Sequence, residues 1–194
     1  LPILQGHGAA IVNSACDELR AITPTIRDDN AMMRAIRQLR QRSALAVALS
    51  DLATKADVAT QMQWLSSAAE TAVRATVRYL FDRAARRGQC PPPAEDMADC
   101  GWIILALGKL GASELNYSSD IDLIILHDPG STPLFAADQA QQFYVEQTGA
   151  LVRLLSQSTG DGIGWRVDLR LRPDPGATAV SIQIGAALGY YESI

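Results

Sequence analysis

The sequence is short of several things that would each point to a class of protein. Three cysteines, Cys16, Cys90 and Cys100, are too few and too irregularly spaced for a disulfide framework or a zinc site. Buried or neutral thiols in a reducing compartment fit better. No apolar run approaches the roughly 20 residues that a membrane span requires, and no signal peptide is visible. The reading is therefore a cytoplasmic chain with no membrane association. There is no basic excess either: the formal net charge is -4 over 194 residues. An acidic balance disfavours holding nucleic acid by bulk phosphate attraction, but a nucleotide held through a metal ion is compatible with it. Internal repeats and low-complexity tracts are missing. The hydrophobic fraction of 48% is high enough to bury a core. The sequence begins at Leu1, not Met, and ends at Ile194 inside a helical stretch, as expected of an excised fragment of a longer protein.

The first half reads as helical. Residues from about 29 to 50 mix alanine, arginine and leucine without proline or glycine. From about 55 to 87, Val58, Met62, Leu65, Ala69, Ala72, Val73, Val77, Leu80, Phe81 and Ala84 recur at helical spacing, with Gln61, Gln63, Glu70, Arg74, Arg78 and Arg83 off the stripe. Thr54 is the expected cap, with Asp57 three residues on. Arg86 and Arg87 suit the helix end, and Gly88 suits the left-handed position after it. This stripe is core or interface and carries no chemistry. Pro91, Pro92 and Pro93 break the pattern, so a boundary is placed at about 88–99. It separates a helical region, 1–98, from a second domain, 99–194, expected to be truncated at its C-terminus.

The second half changes period. Trp102–Leu107 reads as a strand buried on both faces, and Ile121–His127 as a second strand. A helix from about 136 to 157 follows. Trp165–Arg172 alternates as a third strand, 179–182 is a candidate fourth, and 185–193 begins another helix. The fold class is α+β, a helical segment followed by a mixed sheet flanked by helices.

Three segments carry candidate chemistry. Gly108-Lys109-Leu110-Gly111-Ala112-Ser113 follows a strand, and its glycines and free N–H groups could approach an anion. It is not a Walker loop, because Leu110 stands where Ser or Thr is needed. Asp120 and Asp122 share one strand face while Ile121, Leu123 and Ile125 take the other. Adjacent carboxylates repel, and a hard divalent cation neutralises both. The alternative is a strand entering from solvent with two exposed aspartates. On the third strand, Arg166, Asp168, Arg170 and Arg172 fall on one face. This suits a metal and a polyphosphate held together, with an ordinary amphipathic strand as the alternative.

These residues resemble the polymerase-beta-like nucleotidyltransferase superfamily: a glycine turn, Asp-x-Asp on a strand, and a later aspartate. The longer strings are Leu107-Gly108-Lys109-Leu110-Gly111, Glu114-Leu115-Asn116-Tyr117-Ser118-Ser119-Asp120-Ile121-Asp122, Arg166-Val167-Asp168-Leu169-Arg170-Leu171-Arg172-Pro173 and Tyr190-Tyr191-Glu192. Over about residues 101–194 they resemble the bifunctional glutamine synthetase adenylyltransferase/adenylyl-removing family. That family joins two nucleotidyltransferase units, one removing AMP from a glutamine synthetase tyrosine by phosphorolysis to ADP, the other attaching it from ATP. The Glu114–Asp120 string and Arg166 look more like the removing unit. Departures are Ala112, where a second glycine is usual, and Asp174-Pro175-Gly176, where a Phe-Gly pair is usual.

The resemblance implies Asp120, Asp122 and Asp168 as catalytic residues and ligands of Mg2+, with Mn2+ as a substitute. It implies that Gly108, Lys109, Gly111, Ser113 and Ser119 contact nucleotide or phosphate, joined by Arg170 and Arg172. It also implies glutamine synthetase as protein substrate, ATP, ADP and phosphate as ligands, and a PII-type signalling protein as partner. His127 is expected to be structural. Other readings are transfer of AMP in the forward direction, a same-fold enzyme with another acceptor, and a non-catalytic nucleotide-sensing module. A metal-dependent glycosyltransferase is disfavoured by the Gly108 turn and by Asp168 with its arginines.

Overall fold

The computed structural model describes residues 7–97, 100–130 and 137–193. Three long helices come first: α1 (Gly8–Ile22), α2 (Asp29–Leu52) and α3 (Val58–Arg86). In α1, Val12, Ala15, Cys16 and Leu19 repeat at three- and four-residue intervals and are all buried. A single 3-10 turn, Thr23–Thr25, leads to α2, where the Asp28 carboxylate accepts from the Ala31 N–H at 2.9 Å. Asp57 caps α3 in the same way, accepting from Thr60 N–H at 2.7 Å. Thr54 is therefore not the cap: it sits at φ 51° and its hydroxyl bonds the carbonyl of Ala53.

The buried face of α3 also differs from the expected stripe. Val58 is exposed, while Gln61, Ser66, Thr71 and Thr76 are buried. Each of the polar four has a use. Gln61 donates to Asp51 and to the Ala56 carbonyl, Ser66 accepts from Leu115 N–H, Thr71 accepts from Arg20, and Thr76 returns to Ala72 O. Satisfied polar groups can be buried at little cost, so the face is wider than hydrophobicity alone indicates. Gly88 ends the helix at φ +70°, as expected.

The sheet follows. Strand β1 (Trp102–Leu107) pairs antiparallel with β2 (Ile121–His127), and the one-turn helix α4 (Gly108–Gly111) lies between them. Helix α5 (Ala137–Ser156) crosses to β3 (Val167–Asp168), which runs parallel to the start of β2. Strand β4 (Ile182–Gln183) runs parallel to the end of β2, and α6 (Ile184–Glu192) follows. The third strand is thus two residues long, not eight, and the fourth begins three residues later than expected. Two short strands share one edge of β2, and the chain between them leaves the ladder. Pro173 and Pro175 cannot donate to it, and the backbone N–H of Arg170 turns back to the Asp168 carboxylate at 2.8 Å.

The sheet has two unequal faces. Trp102, Ile121, Leu123 and Ile125 join a large apolar cluster with α1, α2, α3 and α5. Phe81, Trp102, Phe143 and Tyr144 form an aromatic knot there, and the buried His127 ring stacks on Tyr144 at 4.9 Å. Burial pushes His127 below its ordinary pKa, and its Nδ1 lies 2.9 Å from Ser181 Oγ, so it is a structural residue as expected. Among the described residues the opposite face has a small cluster of Ile124, Leu126, Ile182 and Ala187. Strand β1 is not buried on both faces, since Leu105 is 45% exposed.

Candidate functional site

The register of β2 fixes the site. Asp122 lies opposite Leu107 on one side and Asp168 on the other. Residues paired in register project to the same face, so Asp122 and Asp168 stand side by side, and Asp120 shares that face two residues earlier. Ile121 and Leu123 anchor the opposite face at 0% and 1% exposure. The carboxylates therefore stand on the lightly covered face, at the end of β2 away from α6.

Leu107 pairs with Asp122, so Gly108 is delivered against the same carboxylate. A Cβ on Gly108 would lie 2.5 Å from Asp122 Oδ2, and the residue adopts φ +53°. The backbone conformation favours glycine there, and any side chain would push the Asp122 carboxylate aside. Gly111 has a similar constraint, because its Cβ would meet the Ala106 carbonyl at 2.5 Å. Lys109 and Ser113 are exposed on this turn, with Ser113 at φ +60°. A cleft of about 610 Å3 between α3 and β1 reaches the turn through Gly111 and Ser113 but lies on the other side of the sheet from the aspartates.

The loop into β2 is held by a local turn. Asn116 Oδ1 accepts from Ser118 N–H at 3.1 Å and from Ser119 Oγ at 2.8 Å. Leu115 is buried beneath it, with its N–H on Ser66 of α3 at 3.0 Å. Ser119 thus shapes the approach to Asp120.

The three carboxylates differ in their electrostatics. Asp168 is held below the usual range by Arg170, whose guanidinium and backbone N–H both bond it. Asp120 receives Arg166 Nε at 2.5 Å, while Arg166 Nη2 donates to Ser118 O at 2.7 Å. Among the described residues Asp122 has no such donor. Burial first, then the charges of Asp168 and Asp120, push it above the ordinary carboxylate range, with Arg170 opposing. Arg172 is not aligned with them. The strand ends before it, and it donates to the carbonyls of Leu169 and Pro175 at 2.8 Å each, holding the loop after β3.

This donor set is chemically suited to a hard divalent cation: oxygen ligands, mutual repulsion at Asp122, and room left by Gly108. Among the described residues no three His, Cys, Asp or Glu side chains are grouped as a ready-made metal shell. Arg166 and Arg170 are bonded to the outer two carboxylates, which would have to give up these arginines to hold a cation.

The part played by α2 was not foreseen. Arg37, Arg40 and Gln41 reach the segments that lead into β2 and β3. The available signal was Arg37, which interrupts the apolar run Met32, Met33, Ile36, Leu39 and is nevertheless fully buried.

A glycine turn after one strand, Asp-x-Asp on its antiparallel partner and a third aspartate in register on a parallel neighbour define a nucleotidyltransferase-type α+β unit. The particular family is equally plain. The chain belongs to the glutamate-ammonia ligase adenylyltransferase family, whose profile matches residues 5–194. It is 45% identical over 176 residues to the bifunctional glutamine synthetase adenylyltransferase/adenylyl-removing enzyme of Xanthobacter autotrophicus, covering 89% of this chain and 18% of that protein. Proteins of the same description from Bradyrhizobium diazoefficiens and Rhodopseudomonas palustris are 42% identical over 188 residues and 40% over 194. These cover 96% and 99% of this chain, which spans 18% and 20% of their lengths. Among the described residues no helix is long and apolar enough to cross a membrane.

Proposed function

We propose that this chain carries one nucleotidyltransferase centre of a protein acting on glutamine synthetase, and that the centre removes AMP from the adenylylated tyrosine by phosphorolysis. The observation that supports the centre is the in-register pairing of Asp122 with Asp168, with Asp120 on the same face. The relatives' names support glutamine synthetase as the protein substrate. The removing direction rests on the Glu114–Asp120 string and on Arg166, which resemble that unit of the family. A PII-type protein is proposed as the partner that regulates the larger protein, and Mg2+ or Mn2+ as the cofactor.

In this reading Asp120, Asp122 and Asp168 are the metal ligands. A divalent metal held there would supply charge screening for an anionic phosphate meeting an anionic phosphodiester. A phosphate oxygen bonds the AMP phosphorus, the bond from phosphorus to the tyrosine oxygen breaks, and that oxygen takes up a proton; the products are ADP and unmodified tyrosine. The chain's own contribution is position and charge. The backbone of Gly108–Gly111, with Lys109 and Ser113, offers donors to phosphate oxygens, and the exposed Arg170 guanidinium beside Asp168 can turn toward phosphate. Ser119, through its bonds to Asn116, orders the turn that precedes Asp120.

The test is the double substitution Asp120→Asn with Asp122→Asn, assayed for phosphate-dependent ADP release from adenylylated glutamine synthetase. ADP release should fall to background with the fold retained. Release and attachment both at the parent rate overturn the centre. Loss of AMP attachment from ATP, with release intact, overturns the direction.

A further inference from the structure

Helix α2 makes an unusual set of contacts for a helix outside the sheet. Arg37, Arg40 and Gln41 follow one another at helical spacing on one of its faces. Together they donate to six backbone carbonyls beyond α2: Leu154, Gln157, Asp161, Gly162, Ile163 and Tyr117. Arg37 is fully buried and caps the C-terminal end of α5, where unpaired carbonyls and the helix dipole favour a cation. Gln41 Nε2 holds the Asp161 carbonyl at 2.9 Å, and Arg34 pairs with the Asp161 carboxylate at 3.7 Å.

Arg40 differs from its neighbours because it joins two segments. Its Nη1 donates to Ile163 O at 3.3 Å and its Nη2 to Tyr117 O at 3.2 Å. Its guanidinium lies 6.0 Å from the centre of the Trp165 ring. Tyr117 is three residues before Asp120, and Ile163 is five before Asp168. The two strands that bear the carboxylates are ladder-paired only at Ile121 with Val167 and Asp122 with Asp168. Two pairs are a short ladder, so the angle between the strands depends on what holds their entering loops.

We infer that Arg40 is a positioning residue for the candidate site, a single side chain on the N-terminal helices that fixes the Asp120–Asp122 segment relative to Asp168. It touches neither carboxylate and acts through the backbone at Tyr117 and Ile163. A planar guanidinium with rigidly spaced donors can bridge two carbonyls at a set separation, whereas an ammonium is a point donor on a flexible stem. The inference assigns α2 a role in site geometry. It rests on the proposed metal centre for its functional consequence, but not for its structural one.

The experiment compares Arg40→Gln and Arg40→Lys with parent, in the protein as expressed from its own gene, by hydrogen exchange resolved to peptides and by Mn2+ titration. Arg40 is only partly buried, so Arg40→Gln should fold. Exchange should rise about tenfold in the segments covering both 116–121 and 163–168, with α1 unchanged, and the Mn2+ dissociation constant should rise about tenfold. Arg40→Lys should restore stability without restoring Mn2+ affinity. Faster exchange in 163–168 alone overturns the inference, since Arg40 would then secure one loop only. Unchanged exchange in both segments also overturns it. A parent protein that binds no Mn2+ counts against the metal centre, and the paired exchange change then decides the brace by itself.

Discussion

Gly108→Ala separates the geometric role of the turn from its stability. The new Cβ would lie 2.5 Å from Asp122 Oδ2, against the 3.4 Å at which ordinary contact begins. The carboxylate must therefore retreat by about 0.9 Å or the turn must open by the same amount. Catalytic groups need placement to within roughly 0.5 Å, and a displacement near 1 Å can cost about 100-fold in rate. Backbone strain adds a separate cost, because alanine at φ +53° loses about 1–2 kcal/mol. Gly88 provides the control. It has φ +70° with nothing within 4 Å of its Cβ position, so Gly88→Ala carries the strain without the clash. Both variants should lose about 1–2 kcal/mol in urea unfolding. Only Gly108→Ala should lose about 100-fold in phosphate-dependent ADP release. If the two variants retain equal activity, the contact between Gly108 and Asp122 has no functional weight and the argument fails.

The remaining predictions concern stability. Asp29 sits between α2, α3 and α5, accepting from Tyr79, Arg83 and Arg153. Burial opposes its ionisation, but the Tyr79, Arg153 and Arg83 bonds outweigh this and hold it at about 2. A depressed carboxylate stabilises the fold above its unfolded pKa, and that contribution is lost as pH falls from 3.8 toward about 2. Asp29→Asn should cost about 1–2 kcal/mol at pH 7, discounted for partial exposure, and thermal melts should show its gap to parent closing at pH 2. Burial, then the charge of Asp82, raises the Cys90 thiol to about 11, and Cys16 and Cys100 are also buried. Alkylation at pH 8 should therefore be slow until denaturant is added, and rapid native labelling of Cys90 would contradict its placement.

What the sequence disclosed depended on the range of the interaction. Strand β2 and its Asp-x-Asp were legible because alternation is a property of adjacent residues. Gly88 was legible because a helix end asks for a left-handed residue locally. Thr54 was the expected cap of α3 with Asp57 in support, but the helix begins later and the Asp57 carboxylate takes the position. Strand β3 was overextended because its alternation continues to Arg172, while the chain leaves the ladder at Arg170, whose N–H turns back to the Asp168 carboxylate. The bonds from α2 were invisible for a different reason. Their acceptors are backbone carbonyls 77 to 125 residues away, and every residue carries a carbonyl, so no side-chain pattern marks them.

The three aspartates are also unequal in how firmly they are placed. Asp122 stands in the middle of the ladder, opposite Leu107 on one neighbour and Asp168 on the other, so its position is determined from both sides. The same register sets Gly108 against it, which makes the glycine turn and the central carboxylate one unit rather than two motifs. Asp168 lies at the end of a two-residue strand and depends on its own following turn, through the bond to Arg170 N–H. Asp120 precedes the first paired residue; the bond from Ile121 N–H to Arg166 O at 2.9 Å ties its neighbour, and Arg166 holds its side chain. A cation entering this site would therefore meet one fixed ligand and two that adjust. On the proposed function, carboxylates that took up a cation would leave Arg166 and Arg170 available to phosphate oxygens. The metal and the anion are thus expected to bind with positive coupling, each removing a competitor of the other.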